Sequence, residues 1–217
     1  MTDHNRKGLI QRYTTSQRIN HWIIAMSFVL LALSGLALFH PSMFWLTNLF
    51  GGGPWTRILH PFIGVVMFVC FFLFAARMVR HNMFSKGDAA WLRHFKDVLN
   101  AKDERIPEVG RYNAGQKILF FALVIFMIGL LATGVVMWRE YFSAFFPIWA
   151  IRLASVLHAV CALLMICAII VHIYAGIWVK GSVKAMTRGT VTRAWAWKHH
   201  RAWFREEMEK GPSRPAE

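Results

Sequence analysis

Four histidines stand in stretches that are otherwise apolar: His21, His60, His158 and His172. An ionisable side chain at membrane depth is costly and marks function by default. His158 and His172 are 14 residues apart, and 14 steps of about 100° return to within roughly 40° of one helix face, ~21 Å further along the axis. They face one way at two depths. If successive spans alternate in direction, His60 at the start of the second span falls level with His158, and His21 at the start of the first falls level with His172. Two imidazoles facing each other across a bundle are what bis-histidine haem ligation requires, so the sequence predicts two haems, one per leaflet. A lone imidazole in an apolar helix is more often a hydrogen-bonded core residue or part of a proton relay, but four in register point to ligation. Zinc is the rival metal, yet its tetrahedral sites gather three or four ligands at one point, and these four divide between two depths. The other histidines, His4, His40, His81, His94, His199 and His200, fall in loops, tails or span ends and read as solvated.

The elements that must position these rings are membrane helices. Of 217 residues, 56% are hydrophobic and only 17% charged, too apolar for an ordinary soluble domain. Apolar runs near or above the roughly 20 residues that cross a bilayer predict four spans, at about 20–39, 58–79, 117–138 and 148–179. The fold class expected is an all-α integral membrane four-helix bundle in a single domain, 1–217. No small-residue cleavage site follows the first run, so it reads as a retained helix and not a signal peptide. Trp22, Trp45, Trp55, Trp138, Trp149 and Trp178 fall near span ends, where an amphipathic indole belongs. Gly51, Gly52, Gly53 and Pro54 break the connection between the first two spans. A short amphipathic helix is expected around Trp91 to Leu99, and the tail 182–209 reads as an interfacial helix held to anionic headgroups. Cys70, Cys161 and Cys167 form no C-x-x-C pair and read as small core residues.

The net charge of +14 raises the question of nucleic acid, and its distribution answers it. Four Lys and Arg precede the first span, nine lie between Arg77 and Lys117, and nine between Lys180 and Arg214, against only Arg57, Arg139 and Arg152 on the opposite side. By the positive-inside rule both termini are cytoplasmic. The basic residues report topology in a bacterial inner membrane, with lipid and no nucleic acid as the partner.

A flat macrocycle needs small residues where it meets helix backbone. Gly35, 14 residues after His21, is expected against the haem held by the other pair, with Gly64, Gly129 and Gly134 as further candidates, although membrane helices also use glycine for close packing. Arg18 and Arg57 each precede a ligand histidine by three residues and are candidate propionate partners, with interfacial snorkelling as the alternative.

The segments RINHW (18–22), RILHP (57–61), RYNAGQK (111–117), WVKGS (178–182) and WAWKHHRAWF (195–204) resemble, at matching positions, the gamma subunit of respiratory formate dehydrogenase, a four-helix cytochrome b. The resemblance covers nearly the whole chain. It implies two haem b groups, ligated by His60 with His158 and His21 with His172. It also implies an iron–sulfur beta subunit and, through it, a molybdenum or tungsten catalytic alpha subunit that oxidises formate on another chain. Electrons would pass from the outer haem to the inner one and on to menaquinone or another quinone near the cytoplasmic side. The family's quinone pocket corresponds to the Asn113 segment, with Gly115 and Gln116, and to His172. Read alone, Asn113, Gly115 and Gln116 suggest only a helix start. Two alternatives stay open on the residues: a cytochrome b anchor of a hydrogenase or thiosulfate reductase, and a haem-free membrane protein whose histidines relay protons.

Overall fold

A computed structural model describes residues 8–100 and 106–209; His4, Arg6 and Lys7 lie outside them. Four long helices dominate: α1 (Thr15–Phe39), α2 (Gly53–Asn82), α5 (Ala114–Met137) and α6 (Ile148–Trp178). With 24 to 31 residues each, they run ~36–46 Å at about 1.5 Å per residue, longer than the roughly 30 Å hydrocarbon core of a bilayer. Shorter elements are β1 (Leu9–Gln11), α3 (Lys86–Arg93), α4 (Phe95–Leu99), α7 (Ser182–Arg188), β2 (Thr190–Thr192), α8 (Arg193–His199) and α9 (Arg201–Glu209), and a 3-10 helix covers Pro41–Phe50.

Polar caps set where these helices begin. Thr14 Oγ1 accepts from the Gln17 amide and Gln17 Oε1 from the Thr14 amide. Asn113 and Gln116 make the same reciprocal exchange at the head of α5. Each such capping box satisfies donors that the first turn leaves unpaired.

The chain divides into two compact units, one formed by the described residues up to Arg18, those from Met78 to Phe120 and those from Ala175 on, the other by 19–77 and 121–174. In the first unit β1 and β2 pair antiparallel, Ile10 opposite Val191. Around this ribbon Ile10, Ala185, Val191, Ala196 and Trp203 form the core. The tail expected as one interfacial helix is therefore three short helices and a strand, folded against residues near the N-terminus. Gly189 makes the turn possible: its φ is +83°, and a Cβ there would sit 2.7 Å from the Tyr13 carbonyl oxygen, a place open only to glycine. Its own carbonyl accepts from the Arg12 and Tyr13 amides.

Arg12 is 3% exposed, and its guanidinium has no carboxylate partner among the described residues. It lies 4.5 Å from the centre of the Trp203 ring and 5.2 Å from that of Trp195, donates to the Arg111 carbonyl and receives the Arg111 guanidinium on its own carbonyl. His200, expected to be solvated, is 3% exposed beside it. Its Nδ1–H donates to the Gly110 carbonyl at 2.9 Å, and Nε2 lies 3.3 Å from Arg12 Nη2, which donates to it. The region 86–99 also departs from expectation. Two short helices break at His94, whose ring bonds the Ala90 carbonyl; Trp91 is buried and Phe95 exposed, yet their rings still meet across the break, centroids 6.1 Å apart. Asp88 in α3 holds Lys117 Nζ with both carboxylate oxygens, at 3.0 and 2.8 Å.

In the second unit antiparallel contacts link α1 to α2, where Asn20 Nδ2 donates to the Cys70 carbonyl and Ser34 meets His60. They also link α5 to α6, where Thr133 meets His158. The large apolar side chains on these helices, such as Val66, Leu73, Ile125, Leu163 and Ile170, are exposed, as a lipid-facing surface requires.

The buried His200 supplies a pH test. Burial, and then the Arg12 charge, hold its pKa well below the ordinary histidine value. Its neutral form is the native one, and the unfolded chain takes up a proton first. Stability should therefore be full above about pH 6.5 and fall as the pH drops below it. Thermal unfolding in detergent should show this decline in wild type and a flatter profile between pH 6.5 and 5 in His200→Gln, which keeps an acceptor and cannot ionise.

Candidate functional site

All four singled-out histidines lie in the second unit, and they meet in the expected pairs. The rings of His60 and His158 have centroids 6.3 Å apart, and those of His21 and His172 are also 6.3 Å apart. The two levels are fixed independently on three helices. On α6 they are His158 and His172, 14 residues apart. On α2 they are His60 and Phe74, whose ring lies 6.2 Å from that of His21. On α1 they are His21 and Ser34, which bonds His60. Separations of 13 or 14 residues correspond to ~20–21 Å of helix, so both pairs are held square across one bundle.

The ring separation bears on what the pairs could hold. An imidazole nitrogen binds a transition metal at ~2.0–2.1 Å, and with ~1.1 Å more to each ring centre, two imidazoles on one ion stand ~6.3 Å apart. Both pairs have that spacing. No group of three or more metal-binding side chains converges among the described residues, so each level offers two donors and not a tetrahedral set.

The ring nitrogens are prepared differently at the two levels. Ser34 Oγ donates its one proton to the Leu30 carbonyl at 2.8 Å and lies 2.7 Å from His60 Nδ1. With that proton spent, the hydroxyl can only accept, so Nδ1 carries the hydrogen and Nε2 keeps its lone pair. Thr133 repeats the arrangement: Oγ1 donates to the Gly129 carbonyl at 2.6 Å and stands 2.9 Å from His158 Nδ1. At the other level, His21 Nδ1 is buried with no hydrogen-bond partner among the described residues.

Beside each hydroxyl sits a glycine. A Cβ on Gly35 would lie 3.4 Å from His60 Cε1, and one on Gly134 would lie 3.5 Å from His158 Cε1. Glycine keeps a methyl group off the ring edge next to Nε2, where a flat macrocycle would lie. Gly64 and Gly129, also singled out for such contact, pack elsewhere: their Cβ atoms would meet Leu31 at 3.9 Å and Cys161 Sγ at 3.0 Å. They serve helix contact.

The remaining candidates are dispersed. Arg57 is exposed, one turn before His60. Arg18 donates from Nη1 to the Thr187 carbonyl and from Nη2 to Thr15 Oγ1, leaving its buried Nε without a protein partner. Asn113 and Gln116 cap α5 as described, and the Asn113 Nδ2 amide takes no part in that cap. Gly115 lets Trp91 close on the backbone, since a Cβ there would be 3.2 Å from the indole. The residues missed from sequence are Ser34 and Thr133. Their signal was a hydroxyl residue directly before a glycine inside an apolar span, Ser34-Gly35 and Thr133-Gly134.

Four membrane-competent helices carrying these paired imidazoles make the fold an all-α integral membrane cytochrome b bundle. Residues 12–189 match the prokaryotic cytochrome b561 family, and the chain belongs to it. It is 46% identical over 201 residues to the formate dehydrogenase cytochrome b556(fdo) subunit of Escherichia coli K12, covering 93% of this chain and 94% of that one. It is 40% identical to the nitrate-inducible formate dehydrogenase cytochrome b556(Fdn) subunit of the same strain, across 97% and 96% of the two chains. Identity to the formate dehydrogenase cytochrome b556 subunit of Haemophilus influenzae is 41%, across 92% and 84%. The protein is thus a multi-pass bacterial inner membrane protein of the formate dehydrogenase cytochrome b group, and membership implies haem b.

Gly129 offers a check on the helix contact. Gly129→Ala should lower the thermal midpoint by an amount matching the ~1–3 kcal/mol typical of overpacking, because Cys161 Sγ must give way. Cys161→Ala in the same chain should recover most of the loss. A Gly129→Ala effect untouched by Cys161→Ala would place its cause elsewhere.

Proposed function

We propose that this chain is the dihaem membrane subunit of a formate dehydrogenase, with haem b held by His60 and His158 at one level and by His21 and His172 at the other. The observation that carries the proposal is the ring separation, 6.3 Å in both pairs. When bound, the two haems supply one-electron relay between an iron–sulfur partner subunit, itself fed by a molybdenum or tungsten catalytic subunit, and a membrane quinone such as menaquinone. Formate oxidation belongs to that partner.

The chain's own residues do the positioning. Ser34 and Thr133 hold the Nδ1 protons of His60 and His158 and present Nε2 to the iron. Gly35 and Gly134 leave room for the macrocycle. Arg57, and Arg18 through its free Nε, are the candidates to pair with propionates. With two histidine donors at each level, a bound haem would suit electron relay and not oxygen binding. The excess of Lys and Arg before α1, between α2 and α5 and after α6 supports cytoplasmic termini, which puts the His60–His158 pair in the outer leaflet and the quinone site on the cytoplasmic side. There the free Asn113 Nδ2 amide donates to a quinone carbonyl as it gains charge, with Gly115 and Gln116 shaping the same turn.

Reduced-minus-oxidised spectra of the purified complex should give two low-spin b centres per chain. His60→Ala or His158→Ala should remove one, and His21→Ala or His172→Ala the other. A fully loaded preparation with a single haem per chain would overturn the assignment.

Asn113→Ser retains an N-cap acceptor and removes the amide donor. Losing one hydrogen bond to a developing charge costs ~1.5–3 kcal/mol, roughly tenfold or more in rate. After reduction by formate, haem reoxidation by a menaquinone analogue should slow by about that factor at full haem content. Unchanged kinetics would move the quinone site away from Asn113.

A further inference from the structure

The two histidine pairs are identical in spacing and different in what stands behind the rings. Behind His60 and His158 are hydroxyls that can only accept, Ser34 Oγ at 2.7 Å and Thr133 Oγ1 at 2.9 Å from Nδ1. Each hydroxyl is pinned by its own bond to a helix carbonyl, Leu30 and Gly129 respectively. At His21 no such hydroxyl stands: its Nδ1 is buried without a hydrogen-bond partner among the described residues. An outer acceptor on the Nδ1–H of a metal-bound histidine draws that proton outward and makes the ring a more basic ligand. A more basic ligand favours the higher charge on iron. This holds the oxidised form and lowers the reduction potential.

We propose that Ser34 and Thr133 are positioning residues that set the His60–His158 haem to a lower reduction potential than the His21–His172 haem, so that electron transfer from the first to the second runs downhill. The inference rests on the reading of both pairs as haem sites. The step balances simply: the electron that leaves the iron at the first level arrives on the iron at the second, the first iron is oxidised and the second reduced, and no bond breaks and no proton moves. Direction would thus be written into two hydroxyl groups that touch neither iron.

The test is a spectroelectrochemical titration of the purified complex with haem content measured in parallel. His60→Ala identifies which wave belongs to which pair. In wild type the wave lost in His60→Ala should be the lower one. Ser34→Ala should shift that wave upward and leave the other in place, and Ser34→Thr, which keeps the hydroxyl, should return it. Thr133→Val, equal in shape, should give the same upward shift, and it serves where Ser34→Ala loses haem. Wild-type midpoints in both loaded variants would overturn the proposal, as would a lower wave that survives His60→Ala, or a Ser34→Thr chain displaced as far as Ser34→Ala. A wild-type complex with only one b centre would instead overturn the underlying two-haem reading.

Discussion

An imidazole inside a bilayer has two nitrogens to satisfy and no water to help. One carries a proton that needs an acceptor, and the other carries a lone pair that needs a donor or a metal. In this chain the proton side is met, at His60 and His158, by hydroxyls whose single hydrogen is already committed to a carbonyl one turn back. The lone-pair side is left facing a second imidazole across a fixed gap. The rings of each pair stand with centroids 6.3 Å apart, and a bound cation between them, as proposed above, would satisfy a lone pair from each. On that proposal, one need accounts for the ring separation in both pairs and for the glycines beside the His60 and His158 rings.

The other unit meets a comparable burden by different means. Arg12 is buried without a carboxylate partner among the described residues, and its charge is met by the faces of Trp203 and Trp195 and by the Arg111 carbonyl. A guanidinium tolerates such surroundings because its charge is spread and weakly hydrated, and it stacks on aromatic rings as an ammonium cannot. His200 is kept neutral by the same guanidinium, accepting from it on Nε2 while Nδ1 is tied to Gly110. Strand β1, the residues around Arg111 and the C-terminal helices are thereby joined at one point.

The paired histidines were legible in the sequence because helical periodicity is a rule about one element at a time. Fourteen residues fix both face and depth on α6, and alternation of spans carries the level to His60 and His21. The capping role of Asn113 and Gln116 was legible for the same reason, since their bond spans three residues. Ser34 and Thr133 were half legible: a hydroxyl beside a glycine is visible, but its histidine lies 26 or 25 residues away on another helix. Arg12 and His200 were not, because they meet across 188 residues, and each has the composition of a solvated tail. The single helix expected over 91–99 is interrupted at His94, where a side chain bonds the backbone, although Trp91 and Phe95 still meet as the apolar spacing implies. The tail is not one helix because Trp203 is buried in a small core with Trp195 packed against it, while Trp197 stays exposed, a division that composition does not reveal.

The ribbon of β1 and β2 also bears on how the chain is made. Leu9 to Gln11 pair with Thr190 to Thr192, so β1 is synthesised before all four spans and waits for them before its partner exists. Until then Arg12 lacks the Trp195 and Trp203 faces that cover its guanidinium in the finished fold. Closing the ribbon is then a late event that joins a segment before the first span to one after the last, and the burial of Arg12 follows from it.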